Sequence, residues 1–549
     1  MGYNNRVAWA SLALVSALVF LLSLRGGGAA PRDFTREPAL SWRWLAAGLL
    51  LVAAWNGGLS WLVFAAHGYA VEDFYFLPQL EKFYYLHRLL YSQTEFAYGP
   101  LLFYPPVWVH WLLDPFHLSL RACYYIATAT DHLVGVAMLY FVVNRIPMSR
   151  GVRMAAFVSV ALFSFTPLLG PNYTLLRYIL PVFLFLWLAR MTRPAPATGA
   201  AFFAAMLVWL DSTEMAIAFG FAMSVYCGYR AWRMGTRQWL APIAAAAAAT
   251  VVYLAILGAE ALSSLLSIAH GWANRVPSLS LEAATLLIAT AWLVPRLVAR
   301  HVRRNSAESG LLLGLYAMGL ALLPASLGLA DIVHIAGNSM VLLLLSLVAV
   351  AEWKPPARSL WIAVVAATYL LLAVRTGLEA HFLFYPDVAC VDERATPLAA
   401  RLPNAVGFRL GAFERRWPCG AEPLDPGTLH AAIGDSRFAS PYPMPEIVEE
   451  ALPQLPNFIP SYWSGTINLW DEATEQRKVD ELRRVEWALL QGRPEATPVM
   501  PNVDSRFSIP TRYRAVHPMT WDGVLADEMD RNWVFASRVG SYELYRRVR

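Results

Sequence analysis

Five short stretches of this chain hold side chains that do chemistry when brought together. Glu72-Asp73 places two carboxylates side by side in Ala70-Val71-Glu72-Asp73-Phe74-Tyr75-Phe76. Such an acid serves as a general base or a cation ligand, and a solvated charge pair is the plain alternative. Asp211-Ser212-Thr213-Glu214 sets two more acids three residues apart, a spacing that reads as a capping box at a helix start or as part of a site. Asp331 and His334 share a face if their segment is helical. A cap accounts for the Asp but not for the His, and two ligands do not make a metal site. Arg177, in Pro171-Asn172-Tyr173-Thr174-Leu175-Leu176-Arg177-Tyr178, suits a lipid phosphate or snorkels to the headgroups. Asp131-His132 lies inside an apolar run, where it faces a bundle and pairs there, for packing or for proton handling.

The elements that must position these residues are membrane helices. The 549 residues are 57% hydrophobic and only 15% charged, against ~25% charged in soluble domains. Apolar runs recur at roughly 6–24, 42–66, 119–143, 154–170, 174–190, 198–211, 214–230, 239–258, 281–298, 311–328, 334–352 and 359–379. Since ~20 apolar residues cross the hydrocarbon as helix, these predict about twelve transmembrane helices. Arg25-Gly26-Gly27-Gly28 shows no Ala-x-Ala cleavage site, so the first run reads as a retained anchor rather than a signal peptide.

Alternate loops carry the arginines: Arg25 to Arg43, Arg145 to Arg153, Arg190 and Arg193, Arg230 to Arg237, Arg296 to Arg304, and Lys354 with Arg358. The opposite loops hold little beyond Lys82, Arg88 and Arg275. The positive-inside rule puts the arginine-rich set in the cytoplasm. The first outer loop (67–118), the acids at 211–214, the 328–337 loop and residues 381–549 then lie outside. Residues 1–380 carry a net charge of +9 and residues 381–549 a net of −4. A basic membrane part thus precedes a mildly acidic outer domain, which excludes a soluble enzyme, a nucleic-acid binder and a disordered scaffold.

The assembled pattern resembles the GT-C superfold of membrane glycosyltransferases, the group that includes protein O-mannosyltransferases and aminoarabinose transferases. The resemblance rests on Glu72-Asp73 after an early helix, and on the aromatic loop with Tyr98-Gly99-Pro100 and Tyr104-Pro105-Pro106. Asp331-x-x-His334 in a late outer loop and the outward C-terminal part add to it. It implies a polyprenyl-phosphate-linked sugar as donor at the outer face of the cell (inner) membrane, and a first-loop acid as base. Asp73 would be that base with Glu72 its neighbour, or the reverse. Arg177 would meet the lipid phosphate, and Asp211, Glu214, Tyr98, Tyr104, Asp331 and His334 would line the substrate site. Members of the group differ in requiring a divalent metal ion, Mg or Mn. The acceptor is a glycan, lipid or protein that the sequence does not name. The chain lacks Trp-Trp-Asp-Tyr-Gly, which argues against an oligosaccharyltransferase, and one extra helix precedes the core. The rival reading is a transporter or flippase for a lipid-linked saccharide, with Asp131 and Arg177 lining its path; no internal repeat supports it.

The Pro-rich residues 381–549 read as a small α/β domain. Asp471 to Arg484 is helix-like, Val485 to Leu490 strand-like, and Tyr542-Glu543-Leu544-Tyr545 alternates. Cys123 and Cys227 lie in apolar runs and read as inert buried thiols. Cys390 and Cys419 fall in the part assigned to the oxidising exterior, where a disulfide is expected. If the outer acids form one site, Asp73, Asp331 and His334 converge on a cavity at the outer leaflet.

Overall fold

All twelve apolar runs fall on helices, as segments whose backbone must satisfy itself in lipid are bound to do. The structure, a computed structural model, describes residues 5–26, 34, 37–66, 76, 79–80, 83–85, 87, 89–91, 96, 98–166, 170–270, 280–328, 332–384, 425–440, 457, 472–490, 524–540 and 542–548. Glu72, Asp73, Asp331, Cys390 and Cys419 lie outside the described residues.

The helical part runs α1 (Asn5–Arg25), α2 (Trp42–Ala66), α3 (Pro105–Leu112), α4 (Leu120–Val143), α5 (Arg150–Ala161), α6 (Leu175–Ala189), α7 (Pro194–Asp211) and α8 (Thr213–Met234). It continues with α9 (Ala241–His270), α10 (Leu281–Ile288), a π turn over Ala289–Leu293, and α11 (Val294–Arg304). The last members are α12 (Ser309–Ala321), α13 (Leu323–Gly328), α14 (Ile332–Asn338), α15 (Met340–Val350) and α16 (Pro355–Phe384). Among the described residues six helices are long and apolar enough to cross a membrane, and α14 with α15, bent by 65°, makes a seventh.

The twelve runs are thus helical, and among the described residues six or seven helices have the length and apolarity of a full span. Length and charge set α6 and α8 apart. α6 has 15 residues and covers about 22 Å, short of the ~30 Å of hydrocarbon. α8 opens on Glu214 and ends on Arg230 and Arg233. Two local irregularities have simple causes. Pro295 lacks an N–H and crowds the carbonyl four residues back, and the π turn just before it widens the helix there. Pro181 inside α6 leaves the carbonyl of Arg177 without its usual intrahelical donor.

Polar contacts respect the division between the two sets of loops. Arg230 donates to Met191 O at 2.8 Å, Arg303 to Ser23 O at 3.4 Å, and Arg300 pairs with Glu352; all join arginine-rich loops or helix ends to one another. The contacts of Tyr98, Asn172, Arg177, Glu214 and His334 join the other set. We expect Arg36, Arg150 and Arg303 to be cytoplasmic. A single cysteine at position 303 should stay unlabelled by a membrane-impermeant maleimide added outside, and labelling there would overturn this orientation.

The C-terminal residues build a four-stranded sheet from β1 (Phe438–Ala439), β2 (Trp487–Leu490), β3 (Trp533–Val539) and β4 (Tyr542–Arg547), in the order β1-β2-β4-β3. β1 and β2 are parallel and the other pairs antiparallel. Helices α17 (Pro426–Ile433), α18 (Glu472–Leu482) and α19 (Val524–Asn532) accompany it. Leu482, Ala488, Leu525, Met529 and Tyr545 share one apolar cluster. The expected helix at 471–484, the strand at 485–490 and the alternating strand at 542–545 are all present. Cys123 and Cys227 are buried free thiols, as expected.

Candidate functional site

The site grows around Arg177 in the first turn of α6. A 3-10 turn, Pro171–Tyr173, leads into the helix from Gly170, whose φ of 86° suits a residue without a Cβ. That turn points the carbonyl of Asn172 back at the guanidinium, which donates Nη1–H to it. Tyr178 OH donates to the same carbonyl at 3.3 Å. On the other side, Nε–H donates to Ser212 Oγ at 3.3 Å, and Nη2–H makes an ion pair with Glu214. The guanidinium carbon lies 4.9 Å from the Tyr98 ring centre and 5.2 Å from that of Tyr178, distances at which aromatic faces attract a cation. Arg177 is only 3% exposed. It neither snorkels nor lies open to headgroups, because its charge is met inside the protein.

The break between α7 and α8 supplies two of these partners. Ser212 is extended, with φ −156° and ψ 129°, so α7 ends on Asp211 and α8 starts at Thr213. The capping-box reading of Asp211 and Glu214 is thereby corrected. Ser212, not Asp211, occupies the cap position, and it makes no side-chain cap bond to α8. Its hydroxyl serves Arg177 instead. Asp211 is buried at 2% exposure; its Oδ2 and the Oδ1 of Asn172 have no partner among the described residues. Asp211 lies within Coulombic range of Arg177, and half-buried Asp131 within that of Asp211. His132 is fully buried, and its Nδ1 accepts Leu175 N–H at 3.4 Å. That contact sets the His132 ring against the start of α6, while its Nε2 has no partner among the described residues.

Tyr98 and Gly99, in the loop expected outside, are tied to this break. Gly99 N–H donates to Asp211 O at 3.2 Å, and a Cβ on Gly99 would stand 2.2 Å from Leu210 O. Only glycine lets the two backbones approach so closely. Tyr98 OH accepts Asn172 Nδ2–H at 3.2 Å, its carbonyl accepts Tyr91 OH at 2.6 Å, and its ring stacks on Phe76 at 5.7 Å. Gly99→Ala should therefore push the loop off α7 at a cost of ~1–3 kcal/mol. The check is a lower thermal unfolding midpoint in detergent; an unchanged midpoint would mean that this contact does not hold the loop.

His334, in the first turn of α14, reaches the group through Tyr173, whose OH lies 3.4 Å from Nε2. The expected residues Arg177, Asp211, Glu214 and Tyr98 thus come together, and His334 joins through one intermediary. Tyr104 does not join them by any direct contact. It sits at the start of α3 among Phe83, Phe103 and Trp108, with ring centres 5.4, 5.6 and 6.2 Å away, and burial pushes its phenol up. Asn172, Tyr178 and Ser212 are contributors that the sequence reading passed over. Being uncharged, they carry no cost at membrane depth to mark them out. Among the described residues no group of three or more His, Cys, Asp or Glu could hold a metal ion.

No protein-family model matches the chain, and no curated protein matches it. Among solved structures the chain is similar to an archaeal oligosaccharyltransferase, AglB from Archaeoglobus fulgidus, which was solved in complex with an inhibitory peptide and a dolichol-phosphate. The identity is 12% and the TM-score 0.42, with 88% of this chain and 69% of that one covered.

Proposed function

We propose that this chain is an integral-membrane glycosyltransferase that moves a sugar from a polyprenyl-phosphate donor to an acceptor hydroxyl at the extracytoplasmic face. The observation that carries the proposal is the joining of a buried guanidinium to the first outer loop. Tyr98 lies on Arg177, and Gly99 is bonded to the α7–α8 break. Tyr98 and Gly99, later in the loop to which Glu72 and Asp73 are assigned, thereby lie beside a group suited to a phosphate.

In this reading Arg177 faces the phosphate that leaves with the electron pair of the glycosidic bond. A first-loop carboxylate, Asp73 with Glu72 beside it, takes the acceptor's proton as its oxygen attacks the anomeric carbon from the opposite side. Proton transfer and charge stabilisation then divide between two elements of the site. The shortness of α6 supports a recessed position for the phosphate, at headgroup depth. Residues 381–549 form the outer domain, and Asp331 and His334 lie on the substrate side.

The test is direct. Purified protein is mixed with a radiolabelled polyprenyl-phosphate sugar, and label is expected to leave the lipid for an added acceptor or water. Label that stays on the lipid but changes leaflet in reconstituted vesicles would favour the flippase reading instead.

A further inference from the structure

We infer that Glu214 is a stand-in for the donor's phosphate: its carboxylate holds Arg177 while the site is empty and gives way when a lipid-linked phosphate enters. The inference rests on the lipid-phosphate reading of this site and adds an exchange to it. Of the three groups bonded to the guanidinium, two are immobile. Asn172 is 1% exposed and presents a backbone carbonyl, while Ser212 is fully buried. The Glu214 side chain is 28% exposed and stands in the first turn of α8, so it is the partner with room to swing out. The rings of Tyr98 and Tyr178 and the two fixed acceptors keep the guanidinium in place when it leaves.

A second feature marks the same spot for an anion. α8 has 22 residues and no side-chain cap, because the Ser212 hydroxyl accepts from Arg177 rather than from the helix N–H groups. Uncapped first-turn N–H groups and the helix dipole favour negative charge there, and Glu214 now supplies it. Because the Glu214 carboxylate already occupies Nη2, a phosphate at the same nitrogen calls for exchange rather than addition. A phosphate that entered while Glu214 stayed would put a further anion on a cation already spoken for.

Binding of farnesyl phosphate and of inorganic phosphate to the full-length protein in detergent, by titration calorimetry, tests this. Glu214→Gln should bind farnesyl phosphate about tenfold more tightly than the parent, the equivalent of one lost competitor of ~1.4 kcal/mol. Arg177→Gln should lose binding, and inorganic phosphate should bind every variant more weakly than the lipid form. A carboxylate with a purely structural role would instead give weaker binding with the lowered stability. Should Glu214→Gln fail to fold, Glu214→Asp reads the same exchange, since its carboxylate is withdrawn by one methylene and should compete less. Unchanged or weaker binding by the Glu214 variants, with binding lost in Arg177→Gln, overturns the stand-in but keeps the lipid-phosphate reading. Parental binding by Arg177→Gln overturns the reading on which the inference rests.

Discussion

Asp73→Asn is expected to lose sugar transfer by ~10²–10⁴-fold, the contribution of a positioned general base, while donor binding persists. The amide keeps the size and hydrogen-bonding shape of the acid but takes up no proton at neutral pH, so the variant separates chemistry from folding. Donor binding survives because the phosphate is assigned to Arg177, on a different element. Glu72→Gln is the internal control, since adjacent side chains as a rule point in different directions and one of the two is expected to face the acceptor. Transfer rates of the two variants with a labelled donor give the answer. A dead Glu72→Gln beside an active Asp73→Asn would exchange their roles, and full activity in both would remove this loop from the chemistry.

Arg177→Ala should be the most destabilising single change in the site. It strips the partner from Glu214 and leaves Asp211 without a nearby guanidinium. Removing one member of a buried pair costs ~3–5 kcal/mol, because the remaining charge stays desolvated. With Glu214 partly exposed, the low end, about 3 kcal/mol, is expected. Arg177→Ala combined with Glu214→Ala should recover part of that loss. Additive losses in the double variant, read from unfolding in detergent, would show that the two residues do not act as a pair.

Charge at apolar helix ends made most of this site legible. Arg177, Asp211 and Glu214 stand out because an ionised group at membrane depth is costly and needs a reason. What spacing does not encode is pairing. Arg177 and Glu214 are 37 positions apart, and only the return of α7 beside α6 brings them together. The break at Ser212 shifts the cap by one residue from the pattern that Asp211 and Glu214 suggest, because the serine hydroxyl is drawn to Arg177. The helices followed from hydropathy alone, whereas hydropathy did not mark their ends, as the 15 residues of α6 after the 3-10 turn at Pro171–Tyr173 show. In the sheet, Tyr542 to Tyr545 shows the alternation of a half-buried strand. β3 hides it, because five successive residues of this edge strand are exposed.

The packing of α1 bears on how the chain is assembled. Ser16 donates to Thr290 O at 2.6 Å and shares a 2.7 Å bond with Tyr316 OH, so α1 is bonded to segments about 300 residues downstream. At roughly 5–20 residues per second, a ribosome reaches those partners only after about 15–60 seconds. During that interval the Ser16 hydroxyl of α1 waits for both of these partners. A chaperone or insertase that shelters early helices would act on this waiting period and leave the finished fold's contacts as they are.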